Sequence, residues 1–439
     1  MPRADQGDEM KVQGLQHSEV RLDARRYKSP QFTVDLLHLL RDELHVPSWH
    51  SPLLDSSGVK ITKAAGSFTN AVFFVSYSTS GAVGPRTILL RIYGPSSAAL
   101  ISRPHELRTL HVLSSVYKIG PRVFGTFVNG RVEEYLESSA LTANDLRDPQ
   151  TSRWIARRMK ELHWVDIPVV WGERRGCQDI LSVKNFRDWL APAAEALDLV
   201  IENFTIARFD SSHPWWNLKN DIDLPRLVHE WTAYMAWMKE WEKTHKRSPR
   251  VFAHNDAQCG NLLRLARPRK GQPDHHNIIV VDFEYAGPNL AACDIANHFL
   301  EWTANYHSDT PHVVNPELYP SEAERRNFYR AYLSPVQYST GKNGVSSSSL
   351  ITSPAPMTSP ETSVTAIEGE VKEQDIIELE EQVRVWVPAI LAQWAVWGLV
   401  QARDDVLAGG VGEFDYLNYS RGRALAFRES LKELGVVVG

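Results

Sequence analysis

The apolar positions change period along the chain. Over 32–44 they recur at helical spacing (Val34, Leu36, Leu37, Leu39, Leu40, Leu44), and Pro47 supplies a stop. From Gly58 the period shortens. Residues 59–63, 71–78 and 87–93 are rich in β-branched and aromatic side chains and separated by Gly, Ser and Pro, which predicts antiparallel strands. Residues 104–117 return to helical spacing and end at Gly120-Pro121. Then 122–127 and 132–136 flank Asn129-Gly130, a strong hairpin signal because both turn positions favour positive φ. Beyond Asp145 the pattern is mostly helical, notably over 152–162, 225–243 and 374–406, and two short apolar strands interrupt it at 251–253 and 278–281.

This pattern divides the chain into a tail with a helical segment (1–57), a small sheet lobe (58–137) and a large, mostly helical lobe (138–439). Between Ser339 and Ala366, 16 of 28 residues are Ser, Thr or Pro and none is aromatic, too little apolar surface to offset the entropy of ordering. The expectation is a disordered insertion over 335–373 within the second lobe.

Composition narrows the classes. The 439 residues, 43% of them hydrophobic, suffice for about two to three compact units with a sizeable core. Lys+Arg at 48 against Asp+Glu at 53 leaves a net charge of −5, so no global basic field draws the chain to nucleic acid or an anionic membrane. The three cysteines, Cys177, Cys259 and Cys293, have no C-x-x-C spacing and indicate neither a zinc site nor a disulfide framework. A polar start over 1–13 and the lack of an uninterrupted apolar run of about 18 residues predict no signal peptide and no transmembrane segment, hence a cytoplasmic protein. The 14 tryptophans remain unexplained by any of this.

Chemistry enters with Val251-Phe252-Ala253-His254-Asn255-Asp256-Ala257-Gln258-Cys259-Gly260-Asn261. A short strand delivers a loop in which His254, Asp256 and Asn261 have the H-x-D-x4-N spacing of kinase catalytic loops. Phosphoryl transfer needs a carboxylate to orient the attacking hydroxyl and accept its proton, with a neutral oxygen ligand for Mg²⁺ about one loop turn away. Asp256 suits the first role and Asn261 the second. Some twenty residues on, an apolar strand runs into Asp282-Phe283-Glu284-Tyr285. A carboxylate ending a buried strand is costly unless paired or metal-bound, which makes Asp282 the second metal ligand.

These segments, with Ala286-Gly287-Pro288-Asn289 and Asp294-Ile295-Ala296-Asn297-His298-Phe299-Leu300-Glu301-Trp302, closely resemble the choline/ethanolamine kinases, relatives of the aminoglycoside phosphotransferases. The resemblance spans about 60–427 and implies an α+β, two-lobed, protein-kinase-like fold: a small antiparallel-sheet N-lobe and a large, mostly helical C-lobe. It implies MgATP-dependent phosphorylation of the hydroxyl of choline, which feeds phosphatidylcholine synthesis by the CDP-choline route, with ethanolamine as the alternative substrate. Gly66, Ser67, Phe68, Thr69 and Asn70 resemble the stretch that caps the nucleotide phosphates. Arg91 resembles the basic residue that pairs with them, Glu106 is its implied carboxylate partner, and Glu134 and Leu136 fall at the hinge that receives adenine. Family members are often dimers, so the resemblance also implies a homodimer as a partner arrangement.

Trp394 and Trp397 are three apart and share one helix face. The family uses such a pair to enclose the substrate's ammonium group, which in choline has no N–H and is held by aromatic faces and carboxylates. By resemblance the cage draws on Tyr285, Glu301, Tyr306, Trp394, Trp397 and Tyr419, with Gln258 close to the reacting hydroxyl. Asp294 reads either as a support of the catalytic loop or as a helix N-cap. Trp231, Trp237 and Trp241 read as packing, and Trp215-Trp216 have no assigned place. Cys259, inside the catalytic loop, is a candidate for oxidation. A catalytically silent binding protein is the reading from a different class, and intact Asp256, Asn261 and Asp282 argue against it.

Overall fold

The computed structural model describes residues 11–64, 70–78, 84–93, 102–172, 178–207, 221–340, 362–366, 370–408, 412 and 414–437, with side chains of 70, 203–207, 336–340 and 362–366 left aside. Six strands, β1 (His17–Ser18), β2 (Val59–Lys63), β3 (Asn70–Tyr77), β4 (Ile88–Tyr93), β5 (Val123–Phe127) and β6 (Gly130–Glu134), form one sheet in the order β1-β5-β6-β4-β3-β2. All pairs are antiparallel except β1 with β5. Alternation along β4 explains its two faces: Ile88, Leu90 and Ile92 are buried, while Leu89, Arg91 and Tyr93 point the other way. The buried face meets Phe32, Leu36, Leu40 and Trp49, so the segment ahead of Gly58 completes this core. Each such fully buried side chain contributes about 1.5–3 kcal/mol.

The predicted hairpin forms, but its turn differs. Phe127 pairs with Gly130, which places Val128 and Asn129 at the turn, and neither Asn129 nor Gly130 adopts a positive φ. The glycine serves packing instead: a Cβ there would collide with the Arg91 carbonyl and the Phe127 ring. Asn129 ties down the N-terminal segment, accepting from Leu22 N at 3.1 Å and donating to Leu22 O at 2.8 Å.

The helix Arg103–Val112 continues as a wider turn, Leu113–Tyr117, and buries Leu110, Leu113 and Tyr117 in the larger core of the helical region. At the centre of that region lies Glu373–Leu407, packed against Tyr416–Glu433, Leu181–Ala207 and Ala291–Glu301. It is long and apolar enough to cross a membrane, yet 83% of its apolar window is buried inside the protein, as expected of a helix apolar all round.

Two small sheets position the loops that matter. β7 (Ser138–Ala140), β9 (Leu262–Leu265) and β10 (Ile278–Val280) form a three-stranded sheet in the order β10-β9-β7, and β8 (Arg250–Ala253) pairs with β11 (Gly287–Leu290). β8 ends immediately before His254 and β10 one residue before Asp282's neighbour Val281. Within the interval expected to lack structure, β12 (Val336–Thr340) and β13 (Thr362–Ala366) pair antiparallel, consistent with their β-branched and aromatic content. The Ser-rich centre, 341–361, lies outside the described residues.

Candidate active site

The loop after β8 is held by one buried carboxylate. Asp294 accepts from the amides of His254 (2.9 Å) and Asn255 (2.7 Å) and contacts His163 Nε2 at 2.8 Å. Burial pushes its pKa up, but His163 and His254 outweigh that and hold it below the ordinary value. The helix starts at Ala291 with Leu290 as its N-cap, so the capping reading of Asp294 does not hold. Asn255 takes a positive φ of 62°, donates to Tyr285 O at 2.9 Å and accepts from Asn289 at 2.7 Å, which ties the loop to β11. His254 is buried and its pKa lowered by that burial. Its Nε2 faces Val281 O at 2.9 Å and its Nδ1 accepts from Asp256 N at 3.3 Å, which fixes the tautomer with the proton on Nε2. His298 likewise donates from Nδ1 to Ala257 O at 2.8 Å and accepts from Trp302 Nε1 at 3.3 Å.

So restrained, the loop brings Asp256 and Asn261 together. Asn261 Nδ2 donates to both the backbone oxygen and Oδ2 of Asp256, each at 2.9 Å. That uses both amide protons and leaves the amide oxygen as the ligand atom. Asn261 O accepts from Val281 N at 3.0 Å, which joins this loop to the end of β10. Asp282 follows with a positive φ of 64°, and its Oδ1 is buried without a hydrogen bond, 3.6 Å from Arg91 Nη1. Burial, then Glu301, Glu284 and Asp282, drive the Asp256 pKa well above the carboxylate range. Glu284 is pushed up to about 8 by burial and by Asp282 and Glu106. An orphaned carboxylate oxygen amid several acids is a site short of positive charge, and a hard divalent cation on Asp282 and Asn261 fits that donor set. Glu284 was missed by the sequence reading, although it lies in the same D-F-E run.

Arg91 is where the sequence placed it, on β4 facing the second lobe, but its partners differ from expectation. It lies 3.8 Å from Glu133 and 3.6 Å from Asp282. Glu106 instead bonds Arg131 at 2.6 Å and Arg103 at 2.5 Å. The reason is register. Arg91 and Arg131 are directly opposite on β4 and β6, and buried Arg131 fills the space beside the helix that carries Glu106, bonding Glu133 as well. Burial alone would raise Glu106, yet Arg131, Arg103 and Arg91 hold its pKa down at about 2. No sequence signal marks Arg131, because the pairing depends on strand register. Gly66, Ser67, Phe68 and Thr69 lie outside the described residues, and Asn70 opens β3 opposite Tyr93. Where the resemblance implies a hinge, the Glu134 backbone amide donates to Arg122 O at 2.8 Å, and Leu136 O accepts from Ser138 Oγ at 2.8 Å.

The aromatic residues converge on one wall. Trp394 meets Tyr285 (5.5 Å between ring centroids) and Trp397 (5.2 Å), and Trp397 meets Tyr416 (5.6 Å) and Tyr419 (5.7 Å), all edge to face. Two hydrogen bonds orient the indoles: Trp394 Nε1 donates to Asn297 at 2.7 Å and Trp397 Nε1 to Tyr285 OH at 2.9 Å. Buried Glu301 accepts from Tyr306 OH at 2.7 Å and from Arg423 at 3.4 Å, and the Arg423 guanidinium lies 4.9 Å from the Tyr419 ring centre. Arg423, Phe414 and Tyr416 are absent from the predicted cage; Phe414 packs on Tyr306, Tyr416 and Tyr419. Gln258 follows Asp256 in the same turn, its amide donating to Asp256 O at 2.9 Å.

The remaining tryptophans pack as expected: Trp231 stacks on Phe186 at 4.0 Å, Trp241 on His245 at 4.2 Å, and Trp237 lies against the main core. Trp215 and Trp216 lie outside the described residues. Burial, with Glu301 next, raises the Cys259 thiol, so the structure turns against an activated thiolate there.

Comparison with known proteins matches this arrangement to one family. The family model described as choline/ethanolamine kinase matches residues 61–428. The chain belongs to the choline/ethanolamine kinase family. It is thereby a phosphotransferase with an alcohol group as acceptor. A choline kinase of Schizosaccharomyces pombe is 31% identical over 90% of this chain and 88% of its own length. Among solved structures, a choline kinase of Cryptosporidium parvum superposes with a TM-score of 0.61 at 22% identity, covering 92% of this chain and 98% of that one. An ethanolamine kinase of Plasmodium vivax gives 0.62 at 20% identity, covering 96% and 98%. These two likenesses establish the two-lobed kinase-like fold of this choline/ethanolamine kinase family member.

Proposed function

We propose that the chain transfers the γ-phosphoryl group of ATP to the hydroxyl of choline, giving phosphocholine and ADP. The observation that carries the choice of substrate is the state of Glu301 beside the aromatic wall. Its two oxygens already accept from Tyr306 and Arg423, which leaves about two of its four lone-pair sites for the three N–H groups of a primary ammonium. A quaternary ammonium needs none: it is held by the faces of Tyr285, Trp394, Trp397 and Tyr419 and by the field of Glu301 and Asp256. The kinship with a named choline kinase at 31% identity supports the same substrate.

In this reading Asp256, steadied by Asn261, orients the choline hydroxyl and takes its proton. Burial first and then Glu301, Glu284 and Asp282 raise its pKa, and a cationic substrate offsets the part owed to the three acids, which returns Asp256 towards the ionised form a base needs. Asn261 and Asp282 would hold Mg²⁺, which would supply positive charge to offset that of the phosphates. Arg91 clamps phosphate oxygens from β4, Gly66 to Asn70 cap them, and Gln258 contacts the substrate hydroxyl. Glu106 acts through Arg131, and Glu134 with Leu136 borders the adenine. A homodimer is the proposed assembly.

Parallel kcat/KM measurements on choline and ethanolamine with MgATP test the proposal. A clear preference for choline, abolished in Asp256→Ala while nucleotide binding persists, is the expected result. A preference for ethanolamine refutes the substrate, and retained turnover in Asp256→Ala refutes the assigned base.

A further inference from the structure

Among the described residues, one group of side chains outside the kinase site has ligand atoms gathered at metal-binding separation: Glu161, His275 and His276, all within 4.8 Å of one another. Glu161 lies on the helix Pro149–His163, and the histidines on the short turn Asp274–Asn277 that leads into β10. His275 Nε2 is 2.8 Å and His276 Nε2 3.1 Å from the same oxygen, Glu161 Oε1, while Arg158 holds Oε2. Glu161 and His275 are buried, and the His276 side chain keeps 20% of its exposure.

A hydrogen-bonded cluster explains His275 but not His276. His276 Nδ1 lies 2.9 Å from Gln272 Oε1, and with the Gln272 amide in this orientation that nitrogen carries the proton. A neutral His276 then aims the Nε2 lone pair at a carboxylate oxygen, acceptor against acceptor. A second proton would relieve this only by adding another cation to the carboxylate that already binds Arg158. A divalent ion relieves it directly. With bonds of about 2.1 Å, the two nitrogen-to-oxygen separations correspond to ligand angles of roughly 85–95° at the ion, an octahedral rather than a tetrahedral spacing. The contact from His276 Nδ1 to Gln272 is also the outer hydrogen bond that metal-bound histidines make.

We propose that Glu161, His275 and His276 bind a divalent transition metal of the zinc class, which pins the turn ahead of β10 to the helix Pro149–His163. On binding, the His275 Nε2 proton gives way to the ion and the ring carries its proton on Nδ1. The exposed side of His276 leaves room for water to complete the coordination. Arg158, a cation on the same carboxylate, keeps the affinity modest. The site is independent of Asn261 and Asp282. It bears on them only mechanically, since the helix also carries His163 and the strand leads to Asp282.

The test uses the full chain, stripped with a chelator, returned to buffer with magnesium in large excess to fill oxygen-rich sites, and titrated with zinc chloride alone by equilibrium dialysis. The expected result is one zinc retained per chain with a rise in Tm, loss of both in His276→Gln, and affinity weakened about 10- to 100-fold in Gln272→Ala. Gln272 lies on the surface, so that variant reports on the site even if His276→Gln folds poorly. No stoichiometric retention, or equal retention in wild type and Gln272→Ala, overturns the proposal.

Discussion

Asn261 holds Asp256 at two points, its Nδ2 donating to the backbone oxygen and to Oδ2 at 2.9 Å each. The carboxylate is thereby fixed through Oδ2, with Oδ1 outside both contacts. Substituting Asp256→Asn keeps the shape but removes the proton acceptor. The expected loss is about 10²- to 10⁴-fold in kcat, with ATP affinity measured by calorimetry little changed. A fall in ATP affinity of the same size with kcat preserved would assign Asp256 to nucleotide binding instead.

The order His254, Asp256, Asn261, Asp282 was legible because each residue lies in a short run whose spacing is set by a tight loop or by the end of a strand. The Trp394/Trp397 face was legible for a related reason, three residues being nearly one helical turn. What could not be read depends on register and on long-range packing. Arg131 meets Glu106 only because β6 pairs with β4 at that register, and Arg423 reaches Glu301 from 122 positions away. The Asn129-Gly130 turn was misread for a further reason: the glycine answers a steric demand from Arg91 and Phe127, a neighbour relation invisible in a dipeptide.

Removing Arg131 separates stability from catalysis. Arg131→Met leaves Glu106 and Glu133 buried and each short of a bonded cation, since Arg131 bonds both. Breaking such a buried pair costs about 3–5 kcal/mol, which urea unfolding would read as a lower midpoint. A cost below about 1 kcal/mol would mean that Arg103 and Arg91 suffice for the two acids.

Acid should loosen the catalytic loop through His298. Burial depresses its pKa from 6.5 to about 4, against the bond to Ala257 O. A depressed histidine binds fewer protons folded than unfolded over that window. Stability is therefore fully present above pH 6.5 and falls as the pH drops towards about 4. At full titration this one group accounts for about 3 kcal/mol at most. Tm measured against pH in wild type and His298→Asn should show a shallower acid slope in the variant. Parallel slopes would place the acid sensitivity elsewhere, in His163 or His254, whose burial also lowers their pKa values.

Under the proposed function, the aromatic wall should separate the two amino alcohols at Trp397. This indole is only partly buried, yet it touches Trp394, Tyr416 and Tyr419 and donates to Tyr285 OH. Trp397→Phe keeps a π face and loses the hydrogen bond; Trp397→Ala loses both. A desolvated cation over an aromatic face is worth about 0.5–2 kcal/mol, which converts to roughly 2- to 30-fold in KM. For choline, whose methyl-covered nitrogen cannot donate a hydrogen bond in exchange for a lost aromatic face, KM should rise by that factor in Trp397→Ala and by less in Trp397→Phe. For ethanolamine the rise should be smaller, because its N–H groups can turn to carboxylate or carbonyl oxygens that remain. Equal rises for both substrates would mean that Trp397 supports the wall's shape without meeting the ammonium, and the discrimination would then fall to Trp394 and Tyr285.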